Sequence, residues 1–456
     1  MMTNGLNLLR ISMNDFTVDF DWIDPMGARG TELRATWASL QIICNTSVIT
    51  RVHSYSSRSV RDSVYLPLYP LAEWIALHWW FLQSEFETVG TLRSQSYSNR
   101  HSLRYAGEGF GLPNLIIRPL GKRVQLEWKA TKDPLREVDY LEEGIANLDS
   151  IVFQNKLKNF VTAVVRRLED TNITDTLLQN EWRNILSMDE EEIEFCQATA
   201  ALGLDPQTLS PDEANSIIDV STKLPTDILS EFFNVAEPKN INLEAQEILK
   251  FIETSQKDRK NWSRLKDIRT SLSFQSGEFD SPWKVGYEYA RNLRRFLRLD
   301  GKPLQGLDSL GKLFKIDDLG SRLNEENLNL PTIDSMVAVN SKESPVFVLI
   351  NHQQIHRVET NPFAFCRALF EYLVQDEHIT LNLITKARSD RQKANRAFAA
   401  EFLVPAKSLK SMLSSAYPDS ESIDVLASHF GVSPQVIQYQ IVNHKLANVD
   451  LSHLDF

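Results

Sequence analysis

Residues 344–405 constrain the fold more than any other stretch of this chain. The run SPVFVLI (344–350) is compact and apolar, as a buried strand requires, and two helical segments follow it, at 362–374 and about 389–404. The first helix carries FCRALFEYLV (365–374) and the second ANRAFAAEFLVP (394–405). Upstream, the polar turn SGEFDS ends one region, and PWKVGYEYARNLRRFLRLD, opening with proline in its first turn, starts a new helix. Downstream, IDVLASHFGVSPQVIQYQIVNHKL reads as a helical pair with a Gly turn.

The rest of the chain differs. FTVDFDWI alternates apolar and polar residues, as a half-buried strand does, and GLPNLIIRPLGKRVQLEWKA reads as two strands around a Pro-Leu-Gly turn. LYPLAEWIALHWWFLQSE has helical apolar spacing. Residues 141–275 read as mostly helical, with acid-rich starts at DEEEIEF and SPDEANS and no strong strand signal.

A chain of 456 residues suffices for two or three domains. Its net charge of −11 opposes unspecific binding to nucleic acid or an anionic membrane. Three separated cysteines, Cys44, Cys196 and Cys366, fit a reducing cytoplasm rather than a disulfide framework. No signal peptide and no membrane-length apolar run is read, so a cytoplasmic location and no membrane partner are expected.

ANRAFAAEFLVP, placed after the strand and the apolar helix, is close to a block of the ImmA/IrrE zinc metallopeptidases, and residues 282–456 resemble that family. The resemblance implies a zincin-like fold and a regulatory setting, since active relatives cut a DNA-binding repressor. In active members the metal-site helix holds two histidines four residues apart, which reach one zinc from one helix face, and a glutamate between them that takes a proton from bound water. Laid on this sequence, Arg367 and Glu371 stand where the histidines belong and Ala368 where the glutamate belongs. Arginine has no lone pair to give and alanine moves no proton. The third ligand position falls near Gln392 or Ala394, and the closest carboxylate is Asp390. Arg367 and Glu371, at i and i+4, are expected to pair across the former metal position.

Other sites are weighed beside this one. His352 and His356 have metal-ligand spacing only if helical, and with Asp390 they are the ligands that an unconventional zinc site would use. The C-terminal pair resembles a helix-turn-helix, with Gln435, Gln438 and Lys445 as the DNA contacts. Arg291, Arg294, Arg295 and Arg298 form a basic helix stripe, mostly on a polar face. Arg58, Arg61, Asp62, His101, Arg104 and Glu108 flank the N-terminal aromatic run without spelling a reaction.

The expectation is an α+β, mostly helical chain. It has a small mixed α/β domain at 1–140, a helical middle at 141–278 and an ImmA/IrrE-like domain at 279–456. The leading function is a catalytically inactive pseudopeptidase that binds a protein partner, a DNA-binding regulator or a toxin, through Arg367, Glu371, Asn395 and Glu401. No cofactor is expected. The alternatives are a zinc endopeptidase with non-standard ligands and a DNA-binding regulator.

Overall fold

The computed structural model describes residues 15–25, 29–87, 94–107, 109–132, 138–257, 262–272, 281–323, 328–340, 344–350, 360–374 and 379–449. The chain divides into two compact units, with the boundary between Gly203 and Leu204. It is an α+β protein in which helix predominates. Among the described residues no helix is long and apolar enough to cross a membrane.

The first unit joins antiparallel strands to helices. Trp37–Cys44 is central to one sheet, pairing with Phe16–Trp22, Ser47–Val48 and Val64–Pro67. The hairpin Asn114–Pro119 and Arg123–Lys129 forms as read, and Gly144–Asp149 adds a third strand beside it. That third strand lies in the region read as mostly helical, which carries no strong strand signal. Asp149 then caps the helix Ser150–Asp170, accepting from the backbone of Ile151 and Val152. This helix buries Phe153, Leu157, Phe160, Val161, Val164 and Leu168, a stripe at helical spacing. Helices Leu177–Ser187 and Glu190–Ala201 complete the same core. The compact units therefore divide inside the expected middle region, between its helices through Ala201 and those from Pro211 onward.

In the second unit, helices Pro211–Lys223, Thr226–Val235, Ile241–Lys257 and Ser263–Ser271 come first. Helix Pro282–Phe296 then packs along helix Asp390–Leu403. Gly286 sets their separation: a Cβ there would lie 2.1 Å from the Ala394 carbonyl oxygen. The three-stranded antiparallel sheet has Ile333–Val339 in the middle, flanked by Pro345–Leu349 and Leu381–Thr385. Helix Thr360–Val374 packs on this sheet and on helix Asp390–Leu403. Helix Thr226–Val235 packs on the edge strand Leu381–Thr385. The chain closes with Ala406–Met412, Ser420–Phe430 and Pro434–Asn443.

Candidate functional site

The helices Thr360–Val374 and Asp390–Leu403 bring Arg367 and Glu371 against the sheet. Arg367 is only 4% exposed. Its Nε donates to Asn395 Oδ1 (2.8 Å), Nη1 to Asp334 Oδ2 (2.6 Å), and Nη2 to both the Thr385 carbonyl (2.7 Å) and Gln392 Oε1 (2.7 Å). Asp334 reaches it from a register irregularity between Ile333 and Ser335, where the extra residue turns its side chain toward the helix. Glu371 is also buried. It accepts from Asn395 Nδ2 (2.7 Å) and lies 3.2 Å from Arg391 Nη1.

Arg367 and Glu371 thus share one helix face, but the direct pair expected between them is replaced. Arg367 is neutralised by Asp334, Glu371 by Arg391, and the Asn395 amide bridges the two. Burial makes the Arg367–Asp334 pair consequential: removing the buried cation of such a pair costs about 3–5 kcal/mol, against about 0.3–0.5 kcal/mol for an exposed helix pair, whereas Arg391 is shared between Glu371 and Glu231.

The network reaches further than the motif. Gln392 Oε1 accepts from Arg367, from the Thr385 backbone N–H (3.1 Å) and from Asn395 (3.1 Å), while its Nε2 donates to the Leu383 carbonyl (2.8 Å). Arg391 Nη2 also donates to Leu383 (2.9 Å), and Arg396 Nη2 to the carbonyls of Thr385 and Ala387 (both 3.0 Å). These bonds occupy the Leu383 carbonyl and the Thr385 carbonyl and N–H on the edge strand, which leaves fewer groups there for a further strand. Glu231, from helix Thr226–Val235, accepts from Ser389 Oγ (2.5 Å), Thr385 Oγ1 (3.2 Å) and Gln392 Nε2 (3.3 Å) and lies 3.5 Å from Arg391 Nε. Arg367, Arg391 and Arg396 are therefore set against Asp334, Glu371 and Glu231. Burial, together with the Arg367 charge, pushes the Arg396 guanidinium down to about 9. Burial also raises the Glu371 carboxyl, against the opposing pull of Arg391 and Asn395.

Other sequence candidates sit apart. Of the two third-ligand positions, Gln392 enters the network, whereas Ala394 packs at the Gly286 seam. Asp390 is the first residue of its helix. His352 and His356 lie outside the described residues. Among the described residues, no group of three or more His, Cys, Asp or Glu can hold a metal ion. Glu401 is a buried joint: it accepts from Arg291 Nε (2.9 Å), Gln440 Nε2 (3.1 Å) and the Ala406 backbone (3.2 Å), with His444 Nε2 at 3.3 Å. Burial pushes its carboxyl up, but His444 and Arg291 outweigh that and hold it below the usual range. Arg367, Glu371, Asn395 and Glu401, expected as partner contacts, are all buried with their polar atoms turned inward. In the folded chain each satisfies a neighbour that would otherwise be an unpaired interior group.

Gln435 and Lys445 are exposed and Gln438 is half-buried, in a helical pair turned by Gly431 at φ 66°. Arg294 leaves the expected polar stripe. It is buried and caps the carbonyls of Phe402, Asp300 and Lys302. His101, in the first unit, is buried against Glu85 and Arg100, while Glu108 lies outside the described residues.

Sequence reasoning missed Asp334, Glu231 and Arg391. Glu231 had a signal: it shares a helical stripe with Ile228, Phe232 and Val235, and a carboxylate on an apolar face needs a buried partner.

Residues 316–442 match the Peptidase_M78 family model, the IrrE N-terminal-like domain. The second unit thus carries a domain of the ImmA/IrrE family, a class of regulatory or protease-like proteins. The match begins after helix Pro282–Phe296 and leaves out Glu231. No curated protein matches the chain.

Proposed function

We propose that the chain is a regulatory pseudopeptidase: a protein-binding module built on a peptidase scaffold whose metal position has been taken over by a structural ionic network. One observation carries this reading. The Arg367 guanidinium lies on the former ligand face with hydrogen bonds to Asp334, Asn395, Gln392 and Thr385. A fixed cation without lone pairs repels a divalent ion, and Ala368 offers no base. The residues present at 367–371 therefore do not fit zinc, and no hydrolytic step is routed through them.

In this reading Arg367, Glu371, Asn395 and Glu401 keep the scaffold rigid, and the exposed surface makes the contact. The partner is a DNA-binding regulator or a toxin–antitoxin component, the kind of client that the family resemblance implies. The test has two parts. Metal analysis of protein purified without chelator should give well below one zinc per chain. A partner recovered by cross-linking should remain intact, by mass spectrometry, after prolonged incubation with the pure protein. Stoichiometric zinc lost on His352→Ala, or a cut partner, would restore the zinc endopeptidase with His352, His356 and Asp390 as ligand candidates.

A second reading, DNA binding, has its own support. The helical pair exposes Gln435 and Lys445, and residues 425–449 contain no Asp or Glu. A salt-dependent gel shift weakened by Lys445→Glu would favour it; no shift at low salt removes it.

A further inference from the structure

The donors around Glu231 form a complete carboxylate receptor. The hydroxyls of Ser389 and Thr385, the Gln392 amide and the Arg391 guanidinium come from the edge strand, the loop after it and the helix Asp390–Leu403. All four lie inside the stretch that matches the family domain, whereas the carboxylate they hold does not. Glu231 arrives on a ten-residue helix, Thr226–Val235, bracketed by Pro225 and Pro238. Phe232 and Phe233 beside it are fully buried.

The domain thus has a polar socket for an acidic side chain, and the chain fills it from its own upstream region with a helix whose adjoining Phe232 and Phe233 are buried. A socket that existed only to stabilise the domain would not need its anion from outside it. A lone Arg391 shared with Glu371 would serve that end within the domain.

We propose that this socket is a recognition site for a helix bearing a carboxylate followed by aromatic residues, and that helix Thr226–Val235 is its resident occupant in cis. A partner with the same chemistry engages by exchange, so the helix acts as an autoinhibitory plug. Exchange is required because emptying the site would leave Arg391 short of a counter-charge and expose Phe232 and Phe233. The tether gives the resident helix a high effective concentration, so only a partner matching both features competes. The idea rests on the protein-binding reading above, but its test needs no partner.

Glu231→Ala in the full chain empties the socket and keeps the aromatic anchors. Formate should raise the melting temperature of this variant well beyond an equal ionic strength of chloride, and should not do so for the wild type. A labelled peptide of residues 224–238 should bind the variant more tightly than the wild type, and a peptide with Gln in place of Glu231 should lose that gain. If the variant does not fold alone, its recovery on refolding with formate, but not chloride, supports the socket. Absence of any formate-specific effect, or equal binding of the Glu and Gln peptides, overturns it. Survival of this result alongside failure to find any client would retire the protein-binding reading while leaving the socket.

Discussion

Glu85 in the first unit and Glu371 in the second are both sealed carboxylates, yet their titration moves in opposite directions. Burial pushes the Glu85 carboxyl up, but hydrogen bonds from His101 and Arg100 outweigh it and hold the group below its ordinary range. Arg100 grips both oxygens, and His101 Nε2 is 3.0 Å from one of them. His101 Nδ1 lies 2.8 Å from the Ile117 carbonyl, so the ring is held between that carbonyl and Glu85. Around Glu371 burial wins, with the Glu231 charge adding to it. Its cation, Arg391, is shared with Glu231, and its second donor is a neutral amide. In the first unit the carboxylate is the hub and Arg100 and His101 converge on it. In the second the hub is Arg367, and the carboxylate is peripheral. Which charge holds a buried network together depends on how many opposite groups it serves alone.

The largest effects should follow the hubs. Glu85→Gln leaves Arg100 and His101 facing an uncharged group and should cost the first unit about 3–5 kcal/mol. Arg367→Met removes the buried cation that faces Asp334, the donor to Asn395 Oδ1, and one donor each from the Thr385 carbonyl and Gln392 Oε1, and should cost the second unit a similar amount, about 3–5 kcal/mol. Chemical denaturation read by region-resolved hydrogen exchange assigns each loss to its unit. If Arg367→Met is milder than Glu371→Gln, the assignment of hub and periphery is wrong.

A smaller perturbation separates the network from general loosening of the helix that carries it. Gly286→Ala would press a methyl group against the Ala394 carbonyl and the Phe398 amide, on the side of helix Asp390–Leu403 that meets helix Pro282–Phe296. Overpacking of this kind costs about 1–3 kcal/mol. It should shift the melting temperature while leaving the pH dependence of the second unit unchanged, since no charge is touched. A changed pH profile would mean that the seam and the network are mechanically one.

The two sides of that helix also explain what could be read from sequence. The packing side was legible: ANRAFAAEFLVP names a helix with small residues for a close neighbour and identifies the scaffold, and the strand at 345–349 announces itself by its apolar run. The residue types at Arg367, Ala368 and Glu371 were legible as well, and the proposed loss of the metal chemistry rests on them. The pairing was not. Sequence spacing offers Glu371 to Arg367, but tertiary structure delivers Asp334 from a bulged strand, Arg391 from the next helix and Glu231 from far upstream. The edge strand Leu381–Thr385, only five residues long, was passed over, and with it the backbone carbonyls that the arginines cap. Charges that are ordinary on a helical wheel become hubs only when the third dimension decides which acceptors surround them.

The smallest effect is the sharpest test of the contrast. Because the folded-state titration of Glu85 is lowered, its contribution is complete above the unfolded carboxylate range and is lost as pH falls through the folded value. Glu371 is raised, so its contribution is complete below the unfolded range and is lost as pH rises through its folded value. Acidification from neutrality should therefore weaken the first unit through Glu85, while Glu371 offsets part of the acid loss in the second. Glu371→Gln imitates the protonated acid. It should cost no more than about 1–1.5 kcal/mol at neutral pH, the scale of one hydrogen bond, and should remove that offset. Denaturation midpoints of the wild type, Glu371→Gln and Glu85→Gln across the acid range, resolved by region, give both slopes. Slopes of the same sign for the two glutamates, or a Glu371→Gln loss as large as that of Glu85→Gln, would show that Arg391 is enough of a private counter-charge to make Glu371 a hub after all.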